Sequence, residues 1–252
     1  MEEGDPSPNF GLSQPQGRGF RQSGSLPPAT TIRKVPRPFI ADSFVRTRLR
    51  TSFAGHLKSC RNIYVIVSTP PILSPVSPAE YLAKEAIATE KSELVDGLVL
   101  AMGGGSPRHG HISGQAYSLG HAILRPRGCY AFNSDVKVKT PRGNFFYPDA
   151  TYACKPEFED DCLVNPLAVV EVLSPSTENY DRTTKFDAYA EIPSLREIIF
   201  VETTMPRVQV YRRDADGWRV MVYHAGQIAS IESVELELSL DDLYQGSDSL
   251  PG

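Results

Sequence analysis

The sequence predicts a mixed α/β (α+β) domain, a mixed β-sheet flanked by helices, and three observations carry that prediction. Leu167–Leu173 is apolar at every position except Glu171, as in a central strand covered on both faces. Residues 207–213 and 218–223 alternate around Asp214-Ala215-Asp216-Gly217, the pattern of a hairpin. Ser77-Pro78-Ala79-Glu80 combines an N-cap serine, a proline at the first helical position and an acid at the third, a helix start. Helices and strands interleaved in this way form layers around one core.

Taken in order, the first helix is expected from Pro78 to about Lys91, with Tyr81, Leu82, Ala86 and Ile87 as its apolar residues. Leu94-Val95 and Leu98–Met102 read as short strands around an Asp96-Gly97 turn. Gly103-Gly104-Gly105-Ser106 interrupts the chain. A second helix is expected over 107–124, with Ile112, Ala116, Leu119 and Ile123 on one face. Strands are expected over 129–140 and 144–154, joined by a turn at Pro141-Arg142-Gly143-Asn144. After the 167–173 strand, Glu178–Ala190 reads as a helix capped by Thr177, and Ile198–Val201 as another buried strand. Beyond Leu243 the chain is expected to fray.

The 252 residues accommodate one ordinary domain plus an appendage. Residues 1–76 form that appendage: Gly, Pro, Ser, Gln and Arg dominate up to Pro38, a composition of disorder. Ile63–Val67 is strand-like but set apart by Pro70, Pro71, Pro75 and Pro78. Net charge is −4, yet residues 1–63 hold ten Lys/Arg against four Asp/Glu. Arg46, Arg48 and Arg50 alternate with neutral residues and read either as a phosphate-binding arm or as a solvated tail. Residues 77–244 are the compact domain and 245–252 a flexible tail. Four cysteines show no C-x-x-C pair and no zinc spacing, so reduced structural thiols are expected. No apolar run approaches the roughly 18–20 residues of a membrane span, and Met1-Glu2-Glu3 lacks the positive start of a secretory signal. A cytoplasmic protein without a membrane partner is expected.

The chemistry concentrates between Tyr147 and Tyr189. Asp149 follows Pro148; Glu171 lies 22 residues later inside the apolar strand; Lys185 follows after fourteen more. A carboxylate in a buried strand is costly unless it is paired or holds a metal. Mg²⁺ takes oxygen ligands, usually one or two carboxylates with waters retained, and Mn²⁺ can substitute. Asp149 and Glu171 on adjacent strands, with the carbonyl of Val172, can supply such a site. Lys185 can stabilise developing charge, or help deprotonate water if its pKa is depressed. His109, just after the glycine run, reads as a phosphate or metal contact or as a polar residue at a helix start.

Residues 77–223 resemble the Uma2 family, within the PD-(D/E)XK restriction-endonuclease-like superfamily. The resemblance rests on Ala79–Leu82, Glu93–Gly97, Ser106–His109, Tyr147-Pro148-Asp149, Val170–Thr177, and Asp181–Lys185 with Tyr189. It implies a restriction-endonuclease-like fold and a Mg²⁺-dependent endonuclease acting on DNA, with Asp149, Glu171, Lys185 and Glu93 catalytic. The superfamily often places its lysine two residues after the strand acid. Here that position is Leu173, and the resemblance moves the lysine to Lys185 on the following helix. The alternative function is a catalytically silent nucleic-acid-binding or regulatory module. A homodimer, built by pairing 207–213 and 217–223 as edge strands, is compatible with either.

Overall fold

The computed structural model describes residues 74–252. The arginine-rich segment, the strand-like 63–67 and all but the end of the expected 1–76 extension lie outside the described residues.

The capping box forms as the sequence implies. Ser77 Oγ accepts from Glu80 N, Glu80 Oε2 accepts from Ser77 N, and α1 spans Pro78–Glu85. It ends earlier than expected because the Glu85 carboxylate turns back to the backbone and hydroxyl of Ser92, leaving Ile87 in solvent. β1 (Ser92–Val95) and β2 (Leu98–Ala101) pair antiparallel around Asp96-Gly97, both at positive φ as a two-residue hairpin turn requires. α2 runs Pro107–Leu124, and Ser106 caps it by accepting from His109 N.

The expected strands at 129–140 and 144–154 break into four, placed in two sheets. β3 (Cys129–Asn133) stops where the Asn133 side chain accepts from Asp135 N. The chain then crosses over to β4 (Lys137–Lys139) and β5 (Phe145–Phe146), and returns as β6 (Ala150–Cys154). A hairpin of β7 (Phe158–Glu159) and β8 (Cys162–Leu163), unforeseen because each strand has two residues, leads to β9 (Ala168–Leu173).

Residues 178–190 are helical but not uniformly so. α3 (Glu178–Tyr180) and α4 (Phe186–Ala190) flank a π-helical turn at Asp181–Lys185, where Phe186 N–H bonds back to Asp181 O. β10 (Glu197–Glu202), β11 (Arg207–Asp214) and β12 (Gly217–His224) follow, then β13 (Ile228–Ile231), β14 (Leu236–Ser239) and α5 (Leu240–Leu243).

One six-stranded sheet has the order β12-β11-β10-β9-β6-β3, a second has β2-β1-β5-β4-β8-β7, and β13-β14 stand apart. Within the first, β9 and β10 are parallel and the other pairs antiparallel, so the sheet is mixed. Alternation along β9 sends Ala168, Val170 and Val172 into a core shared with α2, α5, β13 and β14. Val169 and Leu173 enter the other core, shared with the second sheet and the 186–195 segment, and Glu171 lies on that face.

Three expectations are corrected. β11 is interior to its sheet, hydrogen-bonded to both β10 and β12, so only β12 of the expected pair lies at an edge. Residues 245–252, expected as a flexible tail, are docked: Arg108 donates to the carbonyls of Ser247, Asp248 and Leu250, and its N–H to Pro251 O. Cys129 and Cys154, directly opposite in the β3–β6 register, form a disulfide in place of the expected free thiols, while Cys162 is a buried free thiol. Strand register set that pair; a separation of 25 residues carries no signal. Among the described residues no helix is long and apolar enough to cross a membrane.

Candidate active site

β6 and β9 run antiparallel with Ala150 opposite Val170, so one step further Asp149 comes opposite Glu171. The turn residue after Pro148 and the lone acid of the apolar strand are thereby brought together across the sheet. Asp149 sits past the last paired residue of β6. Its Oδ2 accepts from Val172 N at 2.7 Å, taking over the hydrogen bond that β6 no longer provides. In a strand the N–H and C=O of one residue point to the same side, so the Val172 carbonyl is on the Asp149 side of β9.

Glu171 is 3% exposed, and both its oxygens are engaged. Tyr189 OH donates to Oε1 at 2.6 Å, and Lys185 Nζ lies 3.3 Å from Oε2. Lys185 does reach in from the helical segment. Its ammonium is 3.1 Å from Glu93 Oε1 and 3.4 Å from Asp181 Oδ1, as well as its contact with Glu171. The π turn accounts for this: Asp181 and Lys185 both lie buried within it, and such turns recur at functional sites. Leu173, at the position where the superfamily often has its lysine, is packed in the core beside Ala188 and Leu195.

Glu93, on β1, completes the bridge between the two sheets. Its Oε1 also accepts from Tyr147 N, and its Oε2 from Tyr180 OH at 2.9 Å. His109, in the first turn of α2, has Nε2 3.5 Å from Asp149 Oδ2. The ring sits against Gly105, where a Cβ would come within 2.6 Å of Nδ1, so any larger residue there would displace the ring.

All the expected site residues therefore meet in one cluster: Glu93, His109, Asp149, Glu171, Val172 and Lys185. Asp181, Tyr180 and Tyr189 were not singled out as site residues from the sequence. Asp181 is as buried as Glu171. The four-residue spacing from Asp181 to Lys185 was the available signal, since it puts both on one helix face.

The electrostatics follow from the count. Glu93, Asp149, Glu171 and Asp181 face one lysine and one histidine. Burial pushes the Glu171 carboxyl well above the usual range; Lys185 opposes this, and the neighbouring acids add to it. Asp181 is raised by the same burial. Burial alone would lower the Lys185 ammonium, but Glu171, Glu93 and Asp181 together outweigh it and hold it well above its ordinary value. The Asp149 hydrogen bond raises His109 despite its burial.

Among the described residues no three His, Cys, Asp or Glu side chains already stand in ligating geometry. The carboxylates are engaged by Lys185, the two tyrosines and backbone N–H groups. The donor set nonetheless suits a divalent cation. It offers carboxylate oxygens and a strand carbonyl, with more acid than one lysine neutralises, in a setting where excess negative charge is expensive.

A family model described as "Putative restriction endonuclease" (Uma2) matches residues 78–242. Two proteins of Synechocystis sp. (strain ATCC 27184 / PCC 6803 / Kazusa) are similar along most of their length. "Uncharacterized protein slr1290" is 37% identical over 175 residues, 68% of this chain and 92% of its own. "Uncharacterized protein sll1609" is 32% identical over 173 residues, 67% of this chain and 96% of its own. Among solved structures, a putative nuclease belonging to DUF820 from Anabaena variabilis ATCC 29413 superposes with a TM-score of 0.56. Its identity is 18%, with 68% of this chain and 98% of that chain covered, a likeness of fold.

Proposed function

This chain belongs to the Uma2 family, described as putative restriction endonucleases, and from that premise we propose that it is a metal-dependent endonuclease that hydrolyses phosphodiester bonds in DNA. The family and the nuclease-like fold support a nuclease; the residue roles, the metal and DNA as substrate are our reading. The observation that carries it is the convergence of two carboxylates from adjacent strands and a buried lysine in one cluster.

Asp149 and Glu171, with the Val172 carbonyl, would hold Mg²⁺, or Mn²⁺ in its place. A divalent ion there supplies Lewis acidity toward a phosphoryl oxygen and lowers the pKa of water. Asp149 is already oriented by the Val172 N–H, which donates to its Oδ2. Lys185 acts as a fixed cation. Its raised pKa favours stabilising negative charge on the phosphoryl group over serving as a general base, the other role its position allowed. Glu93 and Asp181 hold the ammonium from two further sides, and Tyr189 fixes the Glu171 rotamer.

The test is cleavage of supercoiled plasmid by purified protein with Mg²⁺ or Mn²⁺. Nicking or cutting is expected, abolished by Asp149→Ala and by Glu171→Ala. Equal activity in the wild type and both variants would overturn the site assignment.

A further inference from the structure

We infer that His109 is a metal ligand, a nitrogen donor that makes this site prefer first-row transition ions over Mg²⁺. The inference rests on the proposed nuclease site and adds a residue and a metal class to it.

Nε2 of His109 stands 3.5 Å from Asp149 Oδ2. Two donors on adjacent vertices of an octahedral ion at roughly 2.1 Å are about 3.0 Å apart, and on opposite vertices about 4.2 Å. The observed separation falls between these, so both atoms can reach one ion with small side-chain adjustment. The ring is presented in one orientation. Its Nδ1 edge lies against Gly105, and Ser106 anchors the backbone of His109 as the helix cap, which leaves Nε2 toward Asp149. The Val172 N–H donates to the same Asp149 oxygen that faces the ring. Asp149 is the histidine's one salt-bridge partner among the described residues.

Donor chemistry then sets the metal. Imidazole is a softer donor than carboxylate or carbonyl, and it suits first-row ions far better than Mg²⁺. An oxygen-lined site follows the same order, so what distinguishes His109 is how far the preference falls when the imidazole is removed. With His109 engaged, Mn²⁺ should bind more tightly than Mg²⁺ and Co²⁺ more tightly than Mn²⁺, following the Irving–Williams order.

The experiment uses the full chain with Mn²⁺ alone and no nucleic acid. Pulsed EPR of bound Mn²⁺ should show ¹⁴N modulation from an imidazole, and His109→Ala should abolish that modulation while Mn²⁺ still binds. In titration calorimetry His109→Ala should weaken Mn²⁺ at least tenfold and Mg²⁺ less than threefold. Asp149→Ala should weaken both. Bound Mn²⁺ without ¹⁴N modulation, or equal losses for the two metals, would overturn the inference and leave the carboxylate site standing. Absence of Mn²⁺ binding in the wild type would overturn both. Spectra of the wild type alone suffice to refute the ligand role, so the result does not depend on a variant folding.

Discussion

Replacing Lys185 by methionine removes a buried cation and nearly nothing else, because the two side chains have similar length and volume. In the wild type three carboxylate oxygens lie 3.1–3.4 Å from Nζ. At an effective dielectric near 20 each contact is worth about 5 kcal/mol of Coulomb attraction, most of it cancelled by the desolvation of the ions. The net stability of the cluster is therefore modest, but losing its only buried ammonium is not. Breaking such an arrangement costs about 3–5 kcal/mol. For a domain of this size that corresponds to a fall in Tm of roughly 6–20 °C. The sign with pH is fixed. Without the lysine the folded-state pKa values of Glu171 and Asp181 rise further above their unfolded values. The folded variant then binds protons more readily than its unfolded chain, so its stability increases as pH falls toward about 4.3, the ordinary carboxylate value. Thermal melts of both proteins between pH 5 and 8 should show a deficit largest at pH 8 and shrinking with acidification. A variant melting within about 2 °C of the wild type at pH 8, or a deficit independent of pH, would refute this account of the cluster.

Further outcomes follow from the same geometry. Glu171→Gln should abolish cleavage yet match or exceed wild-type Tm at pH 8. It removes the acid that burial raises, and Lys185 keeps Glu93 and Asp181; the gain should fade toward pH 5, and a gain that grows on acidification would contradict it. Gly105→Ala should displace the His109 ring and weaken Mn²⁺ binding as His109→Ala does, measured by calorimetry, with Tm nearly unchanged. Arg108→Ala should release the C-terminal segment at a cost of about 1–3 kcal/mol, seen as lost hydrogen-exchange protection at Leu250 N, which bonds Ser247 O.

The site was more legible than the architecture around it. Asp149 and Glu171 could be picked out because a proline-led acid and an acid in an apolar strand are anomalies of local pattern. Lys185 was picked out as the lysine following the two acids and by the family resemblance, although Leu173 holds the position where the superfamily often has its lysine. Asp181 and the two tyrosines look like ordinary helix residues until the hydroxyls and carboxylate are seen facing Glu93, Glu171 and Lys185. Among the elements, α2 was read to the residue because it has a cap, a proline and an unbroken apolar face. The 129–154 region was not, since the Asn133–Asp135 turn that divides it is a three-residue side-chain event within a strand-like composition.

By itself the sequence determined what depends on neighbours along the chain: helix starts, hairpin turns, the buried character of β9 and the presence of an acid within it. Tertiary structure alone decided what depends on register and crossing. It split the strands between two sheets, put Cys129 opposite Cys154, docked the C-terminal segment on Arg108, and brought Glu93, on a different sheet, within 3.1 Å of Lys185. The physical reason is range. Caps and periodicities are settled over a few residues, whereas a buried charge is settled by whichever distant groups packing brings to it, and here one lysine answers to three acids from three elements.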